Sequence, residues 1–294
     1  MVVLITAELN RGGNPFTKGR SMSKLQNIII TALLVLLSSW INPTIVSAQN
    51  VHPAVDADKA CMLGGVASGK WLEAEKIAPM VKGGERYRVY KLTGSAGETV
   101  GAKPKPGDPC TDCREVDFSP KITEGIAVAG NWNAMPRIPQ ALSTGDPAYR
   151  QVVARLLRKQ GIVSPKINIT RILRVDLEGD GVDEVLISAT YLAGGLNRND
   201  GQMAIRVKPG DYSFVVLRKI VGGKARNIVL AGEYYPKVSD ATANQYEVVG
   251  VLDFNGDGKM EVVVSVDYYE GSSSTVFRIN GTRVDNVFGC GWGA

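Results

Sequence analysis

The sequence predicts a mainly β fold with one amphipathic helix, and three observations carry that prediction. From Ile167 onward, apolar runs rich in β-branched residues recur between Gly, Asn and Asp: INITRILRV, EVLISATY, SFVVLRKI, EVVGVL, EVVVSVDYY and STVFRI. Runs of this kind bounded by turn residues read as strands. Part of this β region occurs twice, and a full helical period with start and stop signals stands out at one place only.

Taken along the chain, residues 1–48 read as a secretory signal peptide. Met22 offers an alternative start; after it come Lys24, an apolar stretch from Ile28 to Leu37, the turn-forming Asn42-Pro43, and Val46-Ser47-Ala48 with small residues for cleavage after Ala48. The apolar run is shorter than the ~20 residues a spanning helix needs, so no membrane span is expected after signal cleavage. The expected location is secreted, periplasmic or extracellular. Losing four cations and one anion with this segment takes the net charge from +5 to +2. Without a concentrated basic patch, nucleic acid is excluded as a partner.

Residues 49–60 are expected to be a loose leader. They hold the single histidine, His52, which leaves Ser-His-Asp and Cys-His catalysis without a base and a zinc site without its usual ligands. Ser68-Gly-Lys70 is not a diagnostic Ser-Lys spacing. Residues 61–165 read as an N-terminal β-rich region ending in the helix. Its clearest strand is Arg86 to Lys91, with Gly83-Gly84 before it and Gly94 after it. GAKPKPGDP, from Gly101, is a loop. All four cysteines, Cys61, Cys110, Cys113 and Cys290, follow the cleavage point, and an even number in an exported chain favours disulfides. Cys110 and Cys113 lie in a Pro/Gly loop rather than at a helix N-terminus, so a structural bridge is favoured over a redox pair. In the helix, Asp146 is the N-cap, Pro147 the first helical residue, and Tyr149, Val152, Val153, Leu156 and Leu157 form the apolar stripe. Gly161 stops it. Arg150, Arg155, Arg158 and Lys159 crowd the other face, which reads as solvated.

Residues 166–294 form the repeat region. RVDLEGDGVDEVLISATY begins at Arg174 and VLDFNGDGKMEVVVSVDYY at Val251, in register from Asp176 with Asp253 through Tyr191 with Tyr268. The offset of 77 residues exceeds the ~40–50 of one propeller blade, so a unit without the motif is expected between the copies. Oxygen donors alternate in each loop. The first has Asp176, Glu178, Asp180 and Glu184 at positions 1, 3, 5 and 9, and the second has Asp253, Asn255, Asp257 and Glu261. Alternate residues of a tight loop point at one ion, and a hard cation such as calcium takes six to eight oxygens. Val182 or Lys259 at position 7 would add a backbone carbonyl. The first copy is the more acidic, since Asp183 adds a fifth acid. The plainer alternative is that Gly-Asp-Gly is a hairpin turn and nothing more; two copies in register, each with four oxygen side chains, favour the metal. An EF-hand is excluded, because position 12 is Ile187 or Val264 and a strand follows.

Asp-x-acid/Asn-Gly-Asp-Gly-x-x-Glu between strands resembles the calcium loops of FG-GAP repeats, found in integrin-type propellers and in exported VCBS-like bacterial proteins. The resemblance covers 174–191 and 251–269. It implies propeller-like blades with Asp/Gly calcium loops, and calcium held by Asp176, Glu178, Asp180, Val182 and Glu184, and by Asp253, Asn255, Asp257, Lys259 and Glu261. Glu178 is longer than the Asp or Asn usual at position 3, and position 9 is Glu rather than Asp. Of the three possible cysteine pairings, Cys110 with Cys113 and Cys61 with Cys290 are expected, the second tying the chain ends together as a closed blade ring requires. The function expected is a non-catalytic binding or structural module with an extracellular glycan or protein as partner. Glu233-Tyr234-Tyr235 and Asp267-Tyr268-Tyr269-Glu270 could supply a sugar-binding face, although strand tyrosines more often pack in the core. The alternative is a carboxylate-dependent, glycosidase-like hydrolase acting on extracellular polysaccharide, with Glu233 and Glu270 as its pair.

Overall fold

The computed structural model describes residues 50–107, 113–195, 198–199, 202–203 and 206–293. The predicted signal peptide and Cys110 lie outside the described residues. An antiparallel seven-stranded sheet runs β3 (Lys70–Glu73), β2 (Cys61–Ala67), β1 (Val51–Asp56), β9 (Ile126–Val128), β4 (Arg86–Lys91), β5 (Gly94–Gly101) and β8 (Phe118–Ser119). The minor pair β6 (Lys105–Pro106) and β7 (Arg114–Glu115) stands beside it. The second sheet has the order β10 (Gln140–Ala141), β11 (Ile169–Val175), β12 (Glu184–Tyr191), β15 (Asp211–Val221) and β16 (Lys224–Tyr235), with the short pair β13 (Arg198–Asn199) and β14 (Gln202–Met203) between β12 and β15 in the chain. The third is a meander, β17 (Gln245–Leu252), β18 (Glu261–Tyr268), β19 (Gly271–Asn280) and β20 (Arg283–Trp292).

The repeat is therefore a pair of four-stranded meanders, β11-β12-β15-β16 and β17-β18-β19-β20, each with its Asp-Gly loop between the first two strands. A bulge recurs in the first strand of each, at Ile169/Arg171 and Val248/Gly250. This corrects the expected spacer unit. The 77-residue offset is filled by the rest of the first meander, whose last two strands are 11 and 12 residues long, and by the segment carrying β13 and β14. A closed ring of blades is not shown among the described residues; the third sheet packs against the first through one core and against the second through another.

The supposed leader is also corrected. Residues 51–56 form β1, hydrogen-bonded on both sides, with Ala54, Val55 and Asp56 buried. Alternation is lost where both faces of a strand are covered, so a short run such as VHPAVD carries no strand period. His52 sits on this strand, its ring edge-on to Trp132 with centroids 4.7 Å apart and Nδ1 at 3.2 Å from the Ala129 carbonyl.

The helix forms as expected over Pro147–Lys159, with the Asp146 carboxylate accepting from the Ala148 amide at 2.8 Å. It does not close off an N-terminal region, however. Val152, Val153 and Leu157 pack onto Ile172, Ile187, Phe214 and Val216 of the second sheet. A second core joins the first sheet to the third through Leu63, Tyr90, Ile126, Phe254, Val263 and Phe288. A third joins the two meanders through Leu173, Leu186, Leu217, Val251 and Val262. Each such side chain contributes about 1.5–3 kcal/mol on burial, and these cores join the sheets of the described residues after Gln49.

Cys61 on β2 and Cys290 on β20 form the expected disulfide, with Cα atoms 6.1 Å apart at a sequence separation of 229. Because the bridge restricts a long unfolded loop, Cys290→Ala should lower unfolding free energy by roughly 2–5 kcal/mol in denaturant titration. His52 should give a second, pH-dependent effect. Burial pushes its pKa below the ordinary 6.5, so the unfolded chain takes up a proton first. Its share of stability is full above pH 6.5 and is lost as pH falls from there through the lower folded-state value. Ring-proton NMR should show a midpoint below 6.5, and His52→Gln should abolish that part of the acid response.

Candidate functional site

The two Asp-Gly loops are built by the same local hydrogen bonds. In the first, Asp176 Oδ1 accepts from the amide of Gly179 at 2.7 Å and Oδ2 from that of Gly181 at 2.9 Å. In the second, Asp253 Oδ1 accepts from Gly256 at 2.6 Å and Oδ2 from Gly258 at 2.8 Å. The next acid caps the turn two residues on, Asp180 from Val182 and Asp257 from Lys259, at 2.9 and 2.8 Å. The closing glutamate returns to the residue after the first aspartate: Glu184 accepts from Leu177 and Glu261 from Phe254, at 2.9 and 3.1 Å. Gly181 and Gly258 hold φ of 83° and 84°, a conformation costly for a residue with a Cβ. The aligned sequence positions thus do aligned work.

The loops are also joined to each other. Met260 donates its amide to the Leu177 carbonyl at 2.8 Å. Arg137 lies across both, donating to the carbonyls of Asp176 and Leu177 in the first loop and of Gly258 in the second, the last at 2.6 Å. A guanidinium has donors on a rigid planar fork, which lets one side chain reach three carbonyls. Trp132 covers the second loop, with Nε1 donating to the Asp253 carbonyl at 2.8 Å. Ala134, from the same segment, accepts from the Asp253 amide at 2.7 Å.

The shared hydrogen bonds do not give the two loops the same electrostatics. Asp176 is part-exposed; burial raises its pKa, but the amides of Gly181, Gly179 and Asp180, helped by Arg137, outweigh that and hold it below the ordinary carboxylate value. Asp253 is only 2% exposed, and burial pushes it upward despite its own glycine amides. Glu261 is pushed up to about 8 by burial, aided by the like charges of Asp257 and Asp253. In the first loop Glu178 and Glu184 turn toward the ammonium of Lys219, whose Nζ lies 2.6 and 3.7 Å from them. Asn255, at the position of Glu178, stays within its loop and donates Nδ2 to Asp257 at 2.9 Å.

No group of three or more His, Cys, Asp or Glu side chains among the described residues is arranged to hold a metal ion. The two loops nevertheless differ in their fit to one. The second offers hard oxygens from Asp253, Asn255, Asp257, the Lys259 carbonyl and Glu261, and carries like charges that a cation would relieve. These are donors of the chemical kind that calcium takes. The first has a cation of the protein's own against two of its carboxylates, and does not fit.

The hydrolase pair is not brought together. The Glu233 carboxylate is committed to Tyr235, to Asn244 Nδ2 at 2.9 Å and to Tyr246 at 3.2 Å, while Glu270 sits on the exposed β18–β19 turn of another sheet. Tyr234 packs beside Phe214 in the helix-covered core, as the packing reading of these tyrosines expects. A cleft of about 410 Å³ does open where the end of β1 meets the third sheet. Asp56, Asp58, Glu247 and Asp267 line it together with Lys59 and Trp292. Asp56 is buried, which raises its pKa, and accepts from Ser274 Oγ at 2.6 Å. Glu247 is paired with Arg171 at 2.9 Å.

Trp132, Arg137 and Lys219 escape a sequence reading. Arg137 and Trp132 fall in AGNWNAMPRIP, which has neither period; Lys219, a cation inside the apolar run SFVVLRKI, is the one visible signal of a buried ion pair. Residues 246–277 match the family model for the FG-GAP repeat, a stretch running from β17 through the second loop to β19. Neither a curated protein nor a solved structure matches the chain.

Arg137→Ala should cost about 2 kcal/mol in chemical denaturation, since hydrogen bonds to a charged group are worth about 1.5–3 kcal/mol when buried and these are part-exposed. Arg137→Lys should restore less than half of it, because one ammonium cannot span both loops.

Proposed function

We propose that this chain, which carries an FG-GAP repeat at residues 246–277, is a non-catalytic, calcium-stabilised β-repeat binding module that works outside the cytosol. The observation that carries the reading is the second loop. Its oxygen donors alternate along one turn, within the stretch that matches the repeat family, and like charges rather than a cation surround Glu261. Calcium would be held by Asp253, Asn255, Asp257, the Lys259 carbonyl and Glu261. Bound there, it supplies the positive charge that lets these acids stay ionised at a strand junction. The disulfide between Cys61 and Cys290 fits an oxidising compartment. Among the described residues no helix is long and apolar enough to cross a membrane.

The partner proposed is an extracellular glycan or protein, received at the acidic cleft. Trp292, 42% exposed, offers an aromatic face beside serine hydroxyls and carboxylates, the mixture that binds sugar rings or basic side chains. A glycan array and a protein-binding screen decide between the two classes. Trp292→Ala should weaken whichever partner is found at least tenfold, and unchanged binding would place the partner elsewhere.

For calcium, a free concentration ten times Kd should add about 1.4 kcal/mol of stability and raise the melting temperature by a few degrees. Asp257→Ala should remove that shift. Magnesium should reproduce little of it, because it demands shorter, octahedral coordination. A wild-type melting temperature indifferent to both calcium and chelator would reduce the loops to ordinary turns.

A further inference from the structure

We infer that Lys219 is a resident cation of the first loop, so that this loop holds its shape without metal and calcium enters the second loop alone. The inference rests on the calcium reading and narrows it. Lys219 stands on β15, one residue past the Arg218–Val185 pair, and thus opposite Glu184 at the start of β12. Its side chain is 2% exposed. The ammonium donates to Glu178 Oε2 at 2.6 Å and lies 3.7 Å from Glu184 Oε1, with both carboxylates themselves largely buried at 19% and 3% exposure. Two of the four acidic donors that the spacing assigns to a metal are therefore turned to a charge built into the strand.

Glu178 explains itself on this geometry. A glutamate at position 3 is one methylene longer than an aspartate, and its carboxylate reaches Lys219 on the neighbouring strand. The shorter Asn255 at the same position remains inside its loop, hydrogen-bonded to Asp257. The neighbouring strands diverge in the same way. The place of Lys219 is taken in the second meander by Arg278, one residue past the Phe277–Val262 pair. Arg278 is directed elsewhere: its guanidinium donates to Asp285 at 3.0 Å and lies 5.8 Å above the Trp71 ring. One meander thus brings its cation to the loop, and the other removes it.

A divalent ion entering the first loop would have to strip Lys219 of its carboxylates and leave a buried ammonium unpaired, which proteins strongly disfavour. Length at position 3 and a cation opposite position 9 together decide which loop is open to metal.

The test is the stoichiometry and place of calcium binding on the chelator-treated protein, by titration calorimetry and by amide NMR. One calcium per chain is expected, with shifts at the amides of Gly256 and Gly258 and none at Gly179 and Gly181. Lys219→Met, which keeps the stem and removes the charge, should raise the stoichiometry to two and bring the Gly179 and Gly181 amides into the response. Two calcium ions on the wild-type protein, or shifts at the first loop, would overturn the inference and leave the calcium reading standing. No calcium at either loop would overturn that reading, and the inference with it. Should Lys219→Met fail to fold, the wild-type amide response alone still decides the question.

Discussion

Both meanders depend on one contact, the carboxylate of an aspartate receiving backbone amides of its own loop. Asp176 and Asp253 each fold the chain back through glycine amides three and five residues on. Without that acceptor these exposed N–H groups would turn outward to water, and nothing local would fold the chain back at the junction of two strands. With it, the strand leaving the loop begins in register with the one entering it, Val175 opposite Glu184 and Leu252 opposite Glu261. The remaining strands of each sheet are laid onto that first pair.

The loops do not act separately. Arg137 ties carbonyls of one to a carbonyl of the other, and the Met260 amide reaches the Leu177 carbonyl directly. The segment between the first sheet and the helix thus serves as a strap over the paired loops, with Trp132 on one and Arg137 on the other. Duplication supplied two equal turns, and their surroundings made them unequal. Burial raises Asp253 while amides and Arg137 lower Asp176, and the closing glutamate faces a lysine in one case and other acids in the other.

The cleft between β1 and the third sheet depends on the same assembly. Asp56, at the end of β1, is held by Ser274 of β19, and the Cys61–Cys290 bridge fixes β2 to β20 nearby. A segment that has the composition of a leader is therefore a wall of the candidate binding surface. Its two hydrogen-bonded neighbours, β2 and β9, cover its edges, and its faces are covered by packing, Ala54 in the core shared with the third sheet and Val55 in the core with Ile77 and Val81.

What the sequence determined by itself is local in origin. The strand runs, the helix with its Asp146 cap, and the two loops all follow from interactions within about ten residues, so spacing and residue type suffice to read them. The Cys61–Cys290 pairing was one of three that the residues left open, chosen on the resemblance to a blade ring, and the bridge forms between β2 and β20. Tertiary structure decided the rest: β1 in a sheet, the helix on the second sheet rather than the first, and two long meanders with no spacer unit. It also decided the character of the loops. Lys219 reaches Glu178 across 41 residues, and Trp132 reaches Asp253 across 121. A carboxylate's charge state depends on which groups lie within a few ångströms in space, and a motif of nine residues carries no information about those neighbours.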